Sequence, residues 1–293
     1  MSHVTVSLAG GLGNQMFQFA TARAVALRNG ISQPTLDLRQ LSQPKRSRST
    51  TKRSFELGFL APDAYRCEPS PDPTEKSLWW AVATAIRKRK EGLFAERAFT
   101  FQPEVLTLTP PIFVEGYFQS EKYFDEFADV IRQDFAYRPE IFSRQEREKY
   151  EEIASQESLA VHVRRGDYVT NPTTKAFHGP LDIDYYKKSL DAASSLGHFD
   201  KVHVFSDDPD WVVGQRLFND CEVMVPTGGP SITDLWLMSA CSSFIIANST
   251  FSWWAAWLST APHKKVVYPV PWFSGSPGLE VDLLPSAWTP VSR

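Results

Sequence analysis

Two adjacent arginines end a short apolar run, Leu159-Ala-Val-His162-Val-Arg164-Arg165-Gly-Asp167-Tyr168. The guanidinium is a planar fork of donors that can clamp two phosphate oxygens at once. Gly166 lets the chain turn sharply after the run, and ligands of open parallel sheets gather outside the carboxyl ends of strands. The stretch reads as a phosphate-binding strand end. A lone Arg-Arg pair in that position is more often a solvated ion pair, so the weight falls on three further stretches.

Gly10-Gly-Leu-Gly13-Asn14-Gln15-Met16-Phe17-Gln18-Phe19 puts a glycine turn directly after an apolar run and at the start of a helical pattern. As a dinucleotide fingerprint it is incomplete, because Met16 stands where a third small residue is needed for close helix contact. Asp37, at the end of the next strand pattern, occupies the place of a ribose-binding acid, so an NAD-dependent oxidoreductase is an alternative. Asn14 and Gln15 at the helix start have helix capping as their plainest role.

Val202-His-Val-Phe-Ser-Asp207-Asp208-Pro209 is another strand ending in acids. Asp208 reads as an N-cap with Pro209 in the first helical position, and Asp207 projects toward a ligand, where a ribose, a base or a lysine would meet it. Asp207-Asp208 and Asp182-Ile-Asp184 resemble the acidic pairs that hold divalent cations. Capping accounts for Asp182 and Asp184, and no metal is expected. In Phe244-Ile-Ile-Ala-Asn248-Ser249-Thr250-Phe-Ser252-Trp253-Trp254, small polar residues stand between a strand and an aromatic helix, where hydroxyls and amides bind phosphate with help from the helix dipole. Trp253, Trp254 and Trp257 read as core.

The elements that must carry these turns alternate. Strands at 4–8 and 35–38 flank a helix at 14–28, followed by a polar, basic loop at 42–53 and a proline-rich stretch at 68–74 that excludes helix and central strand. A charged helix at about 142–155 marks a domain boundary, giving domains 1–153 and 154–293. The second series has strands from Leu159 and at 201–205, 244–247 and 265–268, with helices near 184–195, 209–218, 232–241 and 251–259. Two alternating halves predict an α/β protein of two Rossmann-like domains facing across a cleft.

Composition sets the outer limits. The 293 residues suffice for two cores; 42% are hydrophobic, and a formal charge of −3 gives no general attraction to nucleic acid. Cys67, Cys221 and Cys241 lack disulfide or zinc spacing. With no signal-peptide pattern and no long apolar run, a cytoplasmic location is expected. Residues 76–92, with Trp79, Trp80 and a basic end, form an amphipathic pattern that suits either core packing or the inner face of an anionic membrane. Read alone, that stretch makes a peripheral membrane-binding module a further alternative.

His162-Val-Arg164-Arg165-Gly-Asp167 resembles the HxRRxD signature of α-1,2- and α-1,6-fucosyltransferases. Together with Gly10–Gln18, Gly116–Phe124, Phe205–Asp208 and Asn248–Trp254, it makes the chain similar to glycosyltransferase family 11, the α-1,2-fucosyltransferases. The resemblance implies a GT-B fold, a GDP-fucose donor, inversion at the anomeric carbon, no cofactor and no metal requirement. Its implied acceptor is a terminal β-galactoside on a glycan, including a lipid-linked one, with an α-1,6-type or other GDP-sugar transferase as the alternative. It further implies that Arg164 is catalytic at the β-phosphate. Asp167 is the candidate base, although a leaving phosphate oxygen could serve instead. His162, Arg165, Asn14, Gly13, Asp207, Asp234, Ser249, Thr250 and Ser252 would meet the donor, Asp234 through guanine, while Gln15 and Tyr117 would face the acceptor. The N-terminal domain would be the acceptor side and the C-terminal domain the GDP-fucose side.

Overall fold

The computed structural model describes residues 2–42, 53–61, 63–68, 85–86, 89–224, 231–276 and 279–293. The basic loop at 43–52 and most of the proline-rich and amphipathic stretches, at 69–84 and 87–88, lie outside the described residues. The chain forms two units: residues up to Ala136 with Glu280–Leu284, and Tyr137–Leu279 with Pro285–Arg293.

The first unit is built on five parallel strands, β1 (Val4–Ser7), β2 (Thr35–Asp37), β3 (Arg66–Cys67), β4 (Leu93–Ala95) and β5 (Ile112–Glu115), in the order β3-β2-β1-β5-β4. Every residue of β1 is buried, as a strand covered on both faces requires. The helix Leu12–Arg28 follows β1; Gly10, at φ +80, makes the turn between them, in a backbone region that other residues avoid. The helix is buried along most of its length, with Met16, Phe17 and Phe19 fully enclosed.

The second unit has six parallel strands, β6 (Ser158–Val163), β7 (Lys201–Ser206), β8 (Glu222–Met224), β9 (Ser243–Ile245), β10 (Val266–Val270) and β11 (Thr289–Ser292), in the order β11-β10-β9-β6-β7-β8. Its core joins Leu159, Val161 and Val163 of β6 to Val204, Ile245, Val267, Tyr185 and Tyr186. Trp253, Trp254 and Trp257 are core residues, as expected. The helix Arg144–Ala154, expected at the domain boundary, packs within this unit. Tyr150 stacks on Tyr137 at 3.9 Å, and Tyr137 meets the edge of Trp236 at 5.9 Å. Its start is fixed by a capping box between Ser143 and Glu146.

The strand order places the candidate turns. In each sheet the order reverses beside the first strand of the unit, between β1 and β5 and between β6 and β9, and ligands bind at the carboxyl ends of strands at such a reversal. Gly10–Asn14 and Gly116–Gln119 follow β1 and β5; Arg164–Asp167 and Asn248–Thr250 follow β6 and β9. Among the described residues no helix is long and apolar enough to cross a membrane.

Candidate active site

Beyond β6 the two arginines are held by three aspartates. Arg164 Nη2 lies 2.6 Å from Asp167 Oδ1 and Nη1 lies 2.8 Å from Asp207 Oδ2. The other Asp207 oxygen accepts the Arg165 backbone N–H at 2.8 Å, and Arg165 Nε donates to Asp208 at 3.0 Å. Arg165 also lies over the Trp211 ring, its guanidinium carbon 4.2 Å from the ring centre. Three carboxylates against two guanidiniums leave one negative charge in excess, so the cluster is not a simple anion trap. Its arginines are fixed in place before a ligand arrives. Burial works against the charge of Arg164, but Asp207 and Asp167 outweigh it and raise its pKa. A guanidinium has five N–H donors, so Arg164 keeps donors for a ligand after meeting both carboxylates.

Neighbouring turns finish this end of the sheet. Asp208 caps the helix Pro209–Val213 by accepting the Trp211 N–H at 3.2 Å, and Asp182 caps Ile183–Leu196 through Tyr185 N at 3.0 Å, as the sequence suggested for both. His162 is buried next to Phe251, with ring centres 5.8 Å apart. Burial, then the charge of Arg164, pulls its pKa down to about 3, so its ring is neutral. Ser249 is the N-cap of Thr250–Leu258, accepting the Phe251 N–H at 3.4 Å, and Thr250 opens that helix. The Asn248 side-chain amide donates to His178 O at 2.9 Å and Trp272 O at 3.2 Å, while the Asn248 backbone carbonyl accepts from Tyr168 Oη at 3.0 Å. It locks the turn after β9 to the segment after β6, a role that sequence reading did not assign.

Ser252 is not at the surface of the site. It is fully buried and its hydroxyl donates to Ser249 O at 3.2 Å, so it shapes the first helical turn instead of meeting a phosphate. Asp207 likewise has both oxygens engaged by the arginine segment, which gives it a different task from the donor contact expected of it. Asp234 sits in the first turn of the helix Ser231–Ser239. Burial, with the charge of Glu146 second, raises its carboxyl to about 6.

In the first unit, Gly13 is buried in the opening turn of Leu12–Arg28, and Asn14 Oδ1 accepts from Gln119 Nε2 at 2.9 Å. Neither Asn14 nor Gln15 caps the helix; Gly11 occupies the N-cap without a side-chain bond. Gln15, expected to face the acceptor, is fully buried. Its amide donates to Gly10 O at 3.0 Å and Ser54 O at 2.8 Å and accepts Glu56 N at 3.0 Å. All three partners are backbone, so the side chain pins residues 54–56 against the glycine turn. Replacing it removes three bonds between a buried amide and part-buried backbone groups, and Gln15→Ala should lower stability by about 1–3 kcal/mol in a urea titration. Gln18 accepts Ala9 N and donates to Gly116 O, both at 2.9 Å, tying the turn after β1 to the turn after β5. Tyr117 on the latter turn is 39% exposed.

Asp37, the residue that kept a dinucleotide reading open, is chelated by Arg39, whose Nε and Nη2 each lie 2.6 Å from a carboxylate oxygen. With that carboxylate buried and paired, no ribose acid stands at the end of β2. Among the described residues, no cluster of three or more His, Cys, Asp or Glu is arranged to hold a metal ion.

The family model for glycosyl transferase family 11 matches residues 90–271. An α-1,2-colitosyltransferase of Escherichia coli is 30% identical over 301 aligned residues that take in all of both chains. A galactoside 2-α-L-fucosyltransferase of Caenorhabditis elegans is 31% identical over 155 residues, 49% of this chain and 41% of that one. Among solved structures, the NodZ α-1,6-fucosyltransferase soaked with GDP-fucose superposes with a TM-score of 0.51 at 18% identity, over 88% of this chain and 93% of that one. The shared fold is of the GT-B type, α/β with two parallel-sheet units.

Proposed function

Because the chain belongs to glycosyltransferase family 11, we propose that it is an inverting α-1,2-fucosyltransferase, moving fucose from GDP-fucose to the 2-hydroxyl of a terminal β-galactoside. The observation that carries this reading is the pre-set arginine pair at the strand reversal of the second unit, with Arg164 fixed by Asp167 and Asp207. When the sugar leaves, negative charge grows on the β-phosphate. A guanidinium already held in position stabilises that charge without reorganising, an effect worth about 3–4 kcal/mol per well-placed group. Arg165, bound to Asp208 and lying over the Trp211 ring, anchors the turn. Asp167 shares its charge with Arg164, which suits orienting the guanidinium better than accepting a proton. Inversion then relies on an oxocarbenium-like transition state, with a phosphate oxygen available for the acceptor's proton. His162 is buried and neutral and so adds no charge beside Arg164, and Ser249 and Thr250 bring a helix N-terminus to the α-phosphate.

Arginines carry the charge here, so transfer should proceed in excess EDTA. The linkage of the product, read by NMR after incubation with GDP-fucose and a β-galactoside, tests the reading; a 1,6 linkage would overturn it. The full-length likeness to a colitosyltransferase supports a second donor, because colitose is fucose without its 3-hydroxyl. Competition between the two GDP-sugars decides between them.

Asp234 is proposed to accept the N1 and N2 hydrogens of guanine, which requires the carboxylate form. With its pKa at about 6 in the free protein, the group is protonated below that value. GDP-fucose affinity should therefore fall about tenfold per pH unit below pH 6 and level off above it. GDP-fucose, unlike a terminal phosphate, has no phosphate proton titrating near pH 6. Calorimetric titrations from pH 5 to 7.5 check this, and Asp234→Asn should flatten the profile.

A further inference from the structure

The turn after β5 is built around a carboxylate that comes from the opposite side of a long sequence gap. Glu96, just past β4, accepts the backbone N–H of Tyr117 on Oε2 at 2.6 Å and that of Phe118 on Oε1 at 3.0 Å. Phe118 has φ +50, a conformation that a bulky residue adopts only when its surroundings impose it. Those surroundings are visible. The Phe118 ring is fully buried, edge-on to Tyr123 at 5.5 Å, and a Cβ on Gly116 would collide with the Glu96 side chain. Gln18 holds Gly116 O, and Gln119 holds Asn14. Burial pushes the Glu96 carboxyl up and the two N–H donors pull it back, as befits a carboxylate placed for bonding rather than for solvent.

Five constraints thus fix one short turn at the carboxyl end of β5, beside the strand reversal, and the residue it leaves exposed is an aromatic, Tyr117. Strained backbone of this kind gathers at ligand-binding positions. From this we infer that Glu96 is a positioning residue which presents the Tyr117 ring as a platform for the apolar C–H face of the acceptor pyranose. The inference rests on the glycosyltransferase reading above and adds the residue that shapes the acceptor side. An aromatic ring against a sugar face is sequence-tolerant in its geometry but demands a fixed orientation, which two charge-assisted bonds to consecutive amides provide.

The experiment measures acceptor KM, kcat and GDP affinity for wild type, Tyr117→Ala, Tyr117→Phe and Glu96→Gln. Tyr117→Ala should raise acceptor KM about tenfold, the loss of roughly one stacking contact. Tyr117→Phe should stay within about threefold of wild type, because the ring is kept. Glu96→Gln keeps one acceptor oxygen and turns an NH2 donor toward the other backbone N–H; it should raise acceptor KM about tenfold as well, with GDP affinity within about twofold. Tyr117 is exposed, so its variants keep the test valid even where Glu96→Gln destabilises the unit. An unchanged acceptor KM in Tyr117→Ala would overturn the inference, as would an equal loss of GDP affinity in Glu96→Gln. Wild-type protein that binds no GDP would instead overturn the donor reading and leave a different signature.

Discussion

Arg164→Lys should lower kcat by a hundredfold or more while the protein keeps its fold and most of its affinity for GDP. The size follows from geometry. Arg164 faces Asp167 with one terminal nitrogen and Asp207 with the other, at 2.6 and 2.8 Å, and still has donors for a phosphate. A lysine ammonium is a compact point charge on a flexible stem and cannot meet two carboxylates and a phosphate in one plane. Removing a single fixed donor from a developing oxyanion costs about 10²–10³ in kcat. Steady-state kinetics against GDP binding separates the two steps: a loss confined to the chemical step supports a transition-state role. A lysine variant with near-normal turnover would show that the guanidinium only neutralises charge.

The second large effect is expected at a residue with no functional group. A Cβ on Gly166 would collide with Asp207 Oδ2, the oxygen that pairs with Arg164. Gly166→Ala must push Asp207 aside or shift the turn, and either motion displaces the guanidinium. A misplacement on the order of 1 Å at a reacting centre costs about a hundredfold, so kcat should fall tenfold to a hundredfold. Asp207→Asn keeps an oxygen for Arg165 N but loses the ion pair, and a decrease of similar size is expected. Because both changes act through one contact, the double variant should be little worse than either single one. Full additivity would mean that Gly166 and Asp207 matter for separate reasons.

These effects were only partly legible in the sequence. The strand ends were, because apolar runs such as Leu159–Val163 stop abruptly at charged or glycine residues and the parallel sheet gathers those stops on one edge. Short strands were harder: Ile112–Glu115 follows two prolines, and Glu222–Met224 has three residues, too few for a periodic pattern. The helix expected over 209–218 ends at Val213, where Gly214 closes it and a separate 3-10 turn takes over at Arg216–Phe218.

Within the site, residue type told less than position. Gln15 lies on the helical stripe of Leu12, Met16 and Phe19, and that spacing already placed its amide in the interior. Ser252 is flanked by Trp253, Trp254, Ala255 and Ala256, a helix apolar on every side, so its hydroxyl had only the backbone to meet. Glu96 carried no signal at all, since its partners are amides 21 and 22 residues away and nothing in the side-chain pattern announces a carboxylate that binds backbone. Asp207 was recognised as a site residue, but its pairing with Arg164 depends on the register of β6 against β7, Val163 opposite Ser206, which composition does not reveal.

The most direct test of a nucleotide-sugar site on the arginine pair is a thermal shift series with GDP, NAD and NADP on the wild-type chain. A ligand that binds only the folded state at a hundred times its Kd stabilises by about 2.7 kcal/mol. GDP should raise the Tm by several degrees, and NAD and NADP should leave it unchanged. Stabilisation by NAD or NADP with none by GDP would contradict the account.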